Sequence, residues 1–166
     1  MAHRDIIPID PKLICLTQVP SLTPLLGCQD GTIYSLRDST VRHRLPLDGI
    51  PTAIQLFRND GGTSGEWIVF GTSLGQIGLV RWSRAGPSMQ WVMQLPSRTT
   101  VTSLDFYDVN DSGTSQLIVG RDDGVVEVYQ LSAEEDDMRA PTIIFSQVLS
   151  LCNAPFNFET ANHQIM

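Results

Sequence analysis

One twelve-residue pattern, written three times, constrains this chain more than any other feature. It reads Leu25-Leu26-Gly27-Cys28-Gln29-Asp30-Gly31-Thr32-Ile33-Tyr34-Ser35-Leu36. It returns as Val69-Phe70-Gly71-Thr72-Ser73-Leu74-Gly75-Gln76-Ile77-Gly78-Leu79-Val80. The third copy is Ile118-Val119-Gly120-Arg121-Asp122-Asp123-Gly124-Val125-Val126-Glu127-Val128-Tyr129. Each copy is an apolar run, a glycine, three variable residues, a second glycine and a β-rich run. Gly27, Gly71 and Gly120 stand 44 and 49 residues apart (71 minus 27, 120 minus 71). A period of that size built from strands points to propeller blades.

The physical unit is a β-hairpin. Short apolar runs without helical spacing are candidates for buried strands. The stretch between the two glycines supplies the turn, and Asp30-Gly31 and Asp123-Gly124 are strong hairpin signals. Leu74-Gly75 is a weaker one. Further strands are predicted at 52–57 and 101–107 ahead of the second and third copies. Phe57 and Phe106 each lie 14 residues before their repeat glycine (71 minus 57, 120 minus 106). Others are predicted at 41–47, 91–95 and 142–148. Pro24, Pro46, Pro51, Pro87, Pro96 and Pro141 fall outside most strand interiors, as a residue without an N–H should. The pieces at 59–65, 83–88, 110–115 and 133–139 read as blade loops.

The fold expected is therefore all-β: a partial, WD40-like β-propeller of about three four-stranded antiparallel blades. Residues 1–150 form the incomplete propeller and residues 151–166 a divergent C-terminal tail. Closed propellers use roughly four to eight blades. Three blades leave two flanks, each a sheet face built to pack on a neighbour. The expectation is an arc of a larger ring, marginally stable alone and prone to association through its open flanks.

Composition excludes several functions. The formal charge of −7 disfavours nonspecific nucleic-acid binding, which relies on Lys and Arg against phosphate. No apolar stretch approaches a membrane span. Met1-Ala2-His3-Arg4-Asp5 has no signal-peptide core behind it. Cys15, Cys28 and Cys152 form neither a CxxC pair nor a disulfide framework, which suits a reducing compartment, cytosol by default. The run Glu134-Glu135-Asp136-Asp137 reads as a solvated loop, with a docking patch for a basic partner as the alternative.

No catalytic, cofactor or metal set is assigned. Asp108-Val109-Asn110-Asp111-Ser112-Gly113 resembles the calcium loops of integrin-type propellers, with Asp108, Asn110 and Ser112 as possible oxygen ligands. Gln116, where a carboxylate would be wanted, is neutral, so a structural hairpin loop is preferred. Asn110-Asp111-Ser112 also matches an N-glycosylation acceptor by chance. His3, His43 and His163 are scattered, without acid or Cys at ligand spacing. Gly61-Gly62-Thr63-Ser64-Gly65 lacks the Lys and the helix of a P-loop, and no Gly-x-Ser-x-Gly elbow occurs. Asp122 and Asp123 read as solvated turn residues rather than a catalytic pair. Trp67 reads as core, whereas Trp82, after Arg81 at a strand end, reads as the better candidate for a partner-binding surface beside Trp91. Phe156 and Phe158 are candidates to cover an open flank.

Taken with their flanks, the three copies resemble one family. Residues 15–148 look like the N-terminal β-propeller of the Bardet-Biedl syndrome protein 7 family of BBSome subunits. The resemblance is carried by 25–30, by Asn59-Asp60-Gly61-Gly62-Thr63-Ser64-Gly65-Glu66 leading into 69–73, and by Leu117 with 118–129. It implies a non-enzymatic scaffold in a coat-like adaptor that moves membrane proteins into and out of cilia. The implied partners are other propeller-bearing subunits and ciliary cargo, with membrane association only through the complex. The implied location is cytoplasm, cilium, ciliary basal body and ciliary membrane. No catalytic residue is carried over. The alternatives are a calcium-binding integrin-type propeller module, resting on 108–113, and a propeller enzyme with a polar cluster at the ring's centre.

Overall fold

The computed structural model describes residues 11–19, 24–59, 65–131 and 140–149. The described residues contain twelve strands and no helix. The first sheet holds β1 (Leu13–Thr17), β2 (Leu25–Cys28), β3 (Thr32–Arg37) and β4 (Thr40–Pro46). The second holds β5 (Pro51–Asn59), β6 (Glu66–Thr72), β7 (Gln76–Ser83) and β8 (Gly86–Gln94). The third holds β9 (Val101–Tyr107), β10 (Gln116–Arg121), β11 (Val125–Gln130) and β12 (Thr142–Val148). All pairings are antiparallel and follow chain order, as in propeller blades.

The repeat extends to single backbone hydrogen bonds. In each central hairpin the second glycine donates back across the turn: Gly31 N to Cys28 O at 3.1 Å, Gly75 N to Thr72 O at 3.2 Å, Gly124 N to Arg121 O at 3.1 Å. These glycines have φ of +80°, +71° and +81°, a region that L side chains avoid. Each glycine carbonyl then accepts from the leucine that follows the fourth strand: Leu47, Leu95 and Leu149, all at 2.8 Å. Leu74-Gly75, the weaker signal by sequence, makes the same turn as its two Asp-Gly counterparts.

Alternation along the strands fills two seams. Between the first and second sheets lie Leu25, Ile33, Ile54, Ile68, Phe70, Val80 and Trp82, with Val19. Between the second and third lie Trp67, Val69, Ile77, Leu79, Trp91, Val101, Leu104, Leu117, Val119 and Tyr129, with Leu95 and Leu131. The opposite face of the first sheet gathers Leu26, Cys28, Tyr34 and Leu36, with Val41 packed against them. Strand β5 contacts β1 and β2, and β9 contacts β5 and β6, so the first strands of the sheets are neighbours. The repeat glycines permit this approach. A Cβ on Gly27 would stand 3.1 Å from the Cβ of Pro51, and one on Gly71 would run into the Val101 side chain. Cys15 Sγ donates to Pro51 O at 3.4 Å, and the Thr52 hydroxyl donates to Val101 O, tying successive inner strands together.

Several expectations change. Trp82 is 1% exposed, not a surface residue, because β7 runs through it and puts it on the same face as Val80, turned into the first seam. Trp91 is also buried, at 9%. The loop expected at 83–88 shrinks to Arg84-Ala85, since strands reach Ser83 and resume at Gly86. Strand β1 was not among the strands predicted; its apolar run without alternation gave no period to read. Residues 133–139 and 151–166 lie outside the described residues, as do His3, His163 and Cys152.

Candidate functional site

The densest polar constellation is in the third sheet. Arg121 closes β10, Asp123 sits in the following turn and Glu127 lies on β11. Arg121 makes two bonds to Asp123, from Nε to Oδ1 at 3.2 Å and from Nη2 to Oδ2 at 2.9 Å. Its Nη1 donates to Glu127 Oε1 at 3.3 Å, and the Tyr129 hydroxyl donates to Glu127 Oε2 at 2.9 Å. Asp123 Oδ2 also accepts from Ser97 and Thr99 in the loop entering the third sheet, each at 3.2 Å. Asp123 Oδ1 accepts from Val125 N at 3.1 Å.

The electrostatics follow from these contacts. Partial burial would raise the Asp123 carboxyl. The Val125 amide and the Arg121 guanidinium, with the Thr99 hydroxyl, outweigh it and hold the group below its usual value. Burial drives the Tyr129 phenol well above its usual range, and the bond to Glu127 adds to it. Arg121 and Glu127 are a buried ion pair, with side chains 5% and 3% exposed. Such a pair is kept in register by its full set of bonds. Both carboxylates accept from side-chain donors, so the cluster braces its own hairpin.

The three hairpins solve the same problem with different chemistry at the same positions. Where the third has Arg121, Asp123 and Glu127, the first has Cys28, Asp30 and Tyr34, and the second Thr72, Leu74 and Gly78. In the first, the Tyr34 hydroxyl donates to Asp30 and Arg44 sits over the Tyr34 ring, 5.9 Å from its centroid. The bond to Asp30 raises the Tyr34 phenol, with burial adding to it. In the second, Thr72 Oγ1 accepts from Leu74 N at 3.4 Å and Gln76 N at 3.2 Å. The sequence signal for the brace was there, but at spacings of two and six residues instead of in the adjacent Asp122-Asp123 pair. Asp122 itself is exposed.

The calcium-loop candidate folds on itself. Asp108 Oδ1 accepts from Ser112 N at 2.9 Å and Oδ2 from Gly113 N at 2.7 Å. Gln116 Nε2 donates to Asn110 Oδ1 at 3.2 Å, and Gln116 Oε1 accepts from Val109 N at 2.7 Å. The Asp108 and Asn110 oxygens expected as ligands are thus engaged in hydrogen bonds that close the loop on itself. Among the described residues no group of three or more His, Cys, Asp or Glu is placed to hold a metal. His43 lies on β4, with Nε2 3.2 Å from Arg84 O. Cys15 and Cys28 are free thiols. Burial, opposed by the Gly27 amide, pushes Cys15 up to about 11, and burial beside Asp30 raises Cys28.

Exposed apolar residues concentrate on the two terminal sheets. Leu13 and Leu16 are exposed on β1, and Ile143, Ile144 and Val148 on β12. Strand β12 carries no charged residue, and among the described strands it pairs only with β11. Such surfaces suit contact with other polypeptide.

Comparison with known proteins agrees with this geometry. Residues 7–154 match the family described as the BBS7 beta-propeller. Over 141 residues the chain is 36% identical to the BBSome complex member BBS7 of Mus musculus, covering 83% of this chain and 19% of that protein. Over 107 residues it is 29% identical to the BBSome complex member bbs-7 of Caenorhabditis elegans, covering 64% of this chain and 15% of that one. The chain thus spans less than a fifth of the length of these relatives. Among solved structures, BBS1N in complex with ARL6DN superposes with a TM-score of 0.51 at 17% identity, over 83% of this chain and 37% of that one. That likeness concerns the fold alone.

Proposed function

This chain belongs to the BBS7 β-propeller family, and on that premise we propose that it is a non-enzymatic scaffold module acting as part of a BBSome subunit. Its partners are the other propeller-bearing subunits and, through them, ciliary membrane cargo. Its work is intraciliary transport of membrane proteins and cilium assembly. It operates in the cytoplasm, at the ciliary basal body and at the ciliary membrane, which it reaches through the complex. Residues 1–150 are assigned to the propeller arc, and residues 151–166 to a C-terminal stretch whose sequence diverges from the family.

The observation that carries this reading is the family match across 7–154, laid over three blades whose polar clusters brace their own hairpins. The exposed apolar residues of β1 and β12 offer contact area at both ends of the arc. Co-purification of the 166-residue chain with the other BBSome propeller subunits tests the proposal. Binding supports it. No binding, under conditions in which full-length BBS7 binds, removes this chain from the complex.

A further inference from the structure

The two seams share one geometry, and the third sheet carries its counterpart. Gly27 and Gly71 each lie beneath the first residue of the next inner strand, Pro51 and Val101. Gly120 holds the same place in the third sheet. Its nearest neighbours are the Ser103 and Thr102 hydroxyls of its own sheet, and no following strand covers it among the described residues. Ser103 pairs with Gly120 as Cys15 pairs with Gly27. Cys15 is the residue whose thiol binds the carbonyl of Pro51. Ile118, Val126 and Val128 lie on the same outward face, by alternation with Leu117, Val119 and Tyr129 in the second seam.

The chain also leaves the third sheet as it left the first two. Leu149 N donates to Gly124 O, as Leu47 does to Gly31 and Leu95 to Gly75. From those leucines the next inner strand begins four residues on, at Pro51, or six on, at Val101. The same steps from Leu149 reach 153 and 155. The sequence there is Asn153-Ala154-Pro155-Phe156-Asn157-Phe158. Proline is the residue type that opens β5, where no ladder N–H is required. Phe156 and Phe158 alternate with Asn157, the period of a half-buried strand.

We infer that the outward face of the third sheet is a seat for residues 155–158 of this same chain. Pro155 stands over Gly120, Ser103 donates to the Pro155 carbonyl, and Phe158 packs on Ile118 and Val128. Phe158 then takes the position that Ile54 and Leu104 hold in the two seams, three residues after the strand's first. This inference stands independently of the scaffold reading.

Hydrogen exchange on the 166-residue chain tests it. The amides of 156–158 should exchange at least about 100-fold slower than free peptide. Gly120→Val should speed them at least about tenfold while β2 and β6 keep their protection. Free exchange at 156–158 in the unaltered chain overturns the inference, and so does indifference to Gly120→Val. Protection that appears only with dimerisation in sedimentation also overturns it, because a second copy then fills the seat. Should Gly120→Val expose the whole third sheet, Phe158→Asp is the deciding variant. It must speed exchange at 156–158 and at Ile118, and no change there refutes the seat.

Discussion

The ring of Phe70 lies across Gly78, its cross-strand partner on β7, in the space a side chain at that position would occupy. Phe70 is 1% exposed and belongs to the first seam, so the ring has nowhere to retreat. Gly78→Ala should cost about 1–3 kcal/mol by overpacking. Phe70→Ala should cost about 3–5 kcal/mol through lost burial and a cavity. Because the two changes relieve each other, urea denaturation of the double variant should show less loss than the sum. Additive losses would show that the contact carries no coupling.

Gly71 is a second point of enforced closeness. Its missing Cβ leaves room for Val101, a buried residue that opens the next blade's inner strand. Gly71→Ala should destabilise by about 1–3 kcal/mol, since β-branched Val101 is held within the second seam. Thermal unfolding of this variant should fall below that of Gly113→Ala, where no atom stands within 4 Å but φ is +80°.

The Arg121–Glu127 pair predicts an asymmetry. Arg121→Ala leaves Glu127 buried without its cation and should cost about 3–5 kcal/mol. Arg121→Met combined with Glu127→Leu should recover most of that loss, because neither charge is then stranded. Equal instability of the single and double variants in chemical denaturation would contradict the brace.

Asp123 sets a pH limb. Its folded value is depressed, so its stabilising contribution is present above the ordinary unfolded carboxyl value of about 4. That contribution is lost as pH falls through the lower folded value. Asp123→Asn should flatten this acid limb of the stability profile measured by circular dichroism, and should loosen the Ser97 and Thr99 loop.

Cys15 behaves in the opposite sense. Its thiol is raised to about 11, so the folded state keeps its advantage below the ordinary thiol range and loses it as pH climbs through that value. Alkylation of Cys15 at pH 8 should be at least about tenfold slower than for a free thiol peptide, since the thiolate is the nucleophile. Rapid labelling of the folded chain would show that the Pro51 contact is open.

The glycine spacing, the Asp-Gly turns and the short apolar runs were enough to read eleven of the strands and all three central hairpins, because turn chemistry and the length of an apolar run are local properties. The same residues carried the family resemblance. Burial at the seams was not legible. Trp82 stands beside Arg81 at what looks like a strand end, and only the packing of the first sheet against the second turns it inward. Asp123 lies exposed in its turn, as turn chemistry implied, but its bonds to Ser97 and Thr99 of the inter-blade loop had no local signal. Strands and turns are set by neighbours a few residues apart. Which face is covered, and which carboxylate is braced, depends on residues tens of positions away that meet only when the sheets stack.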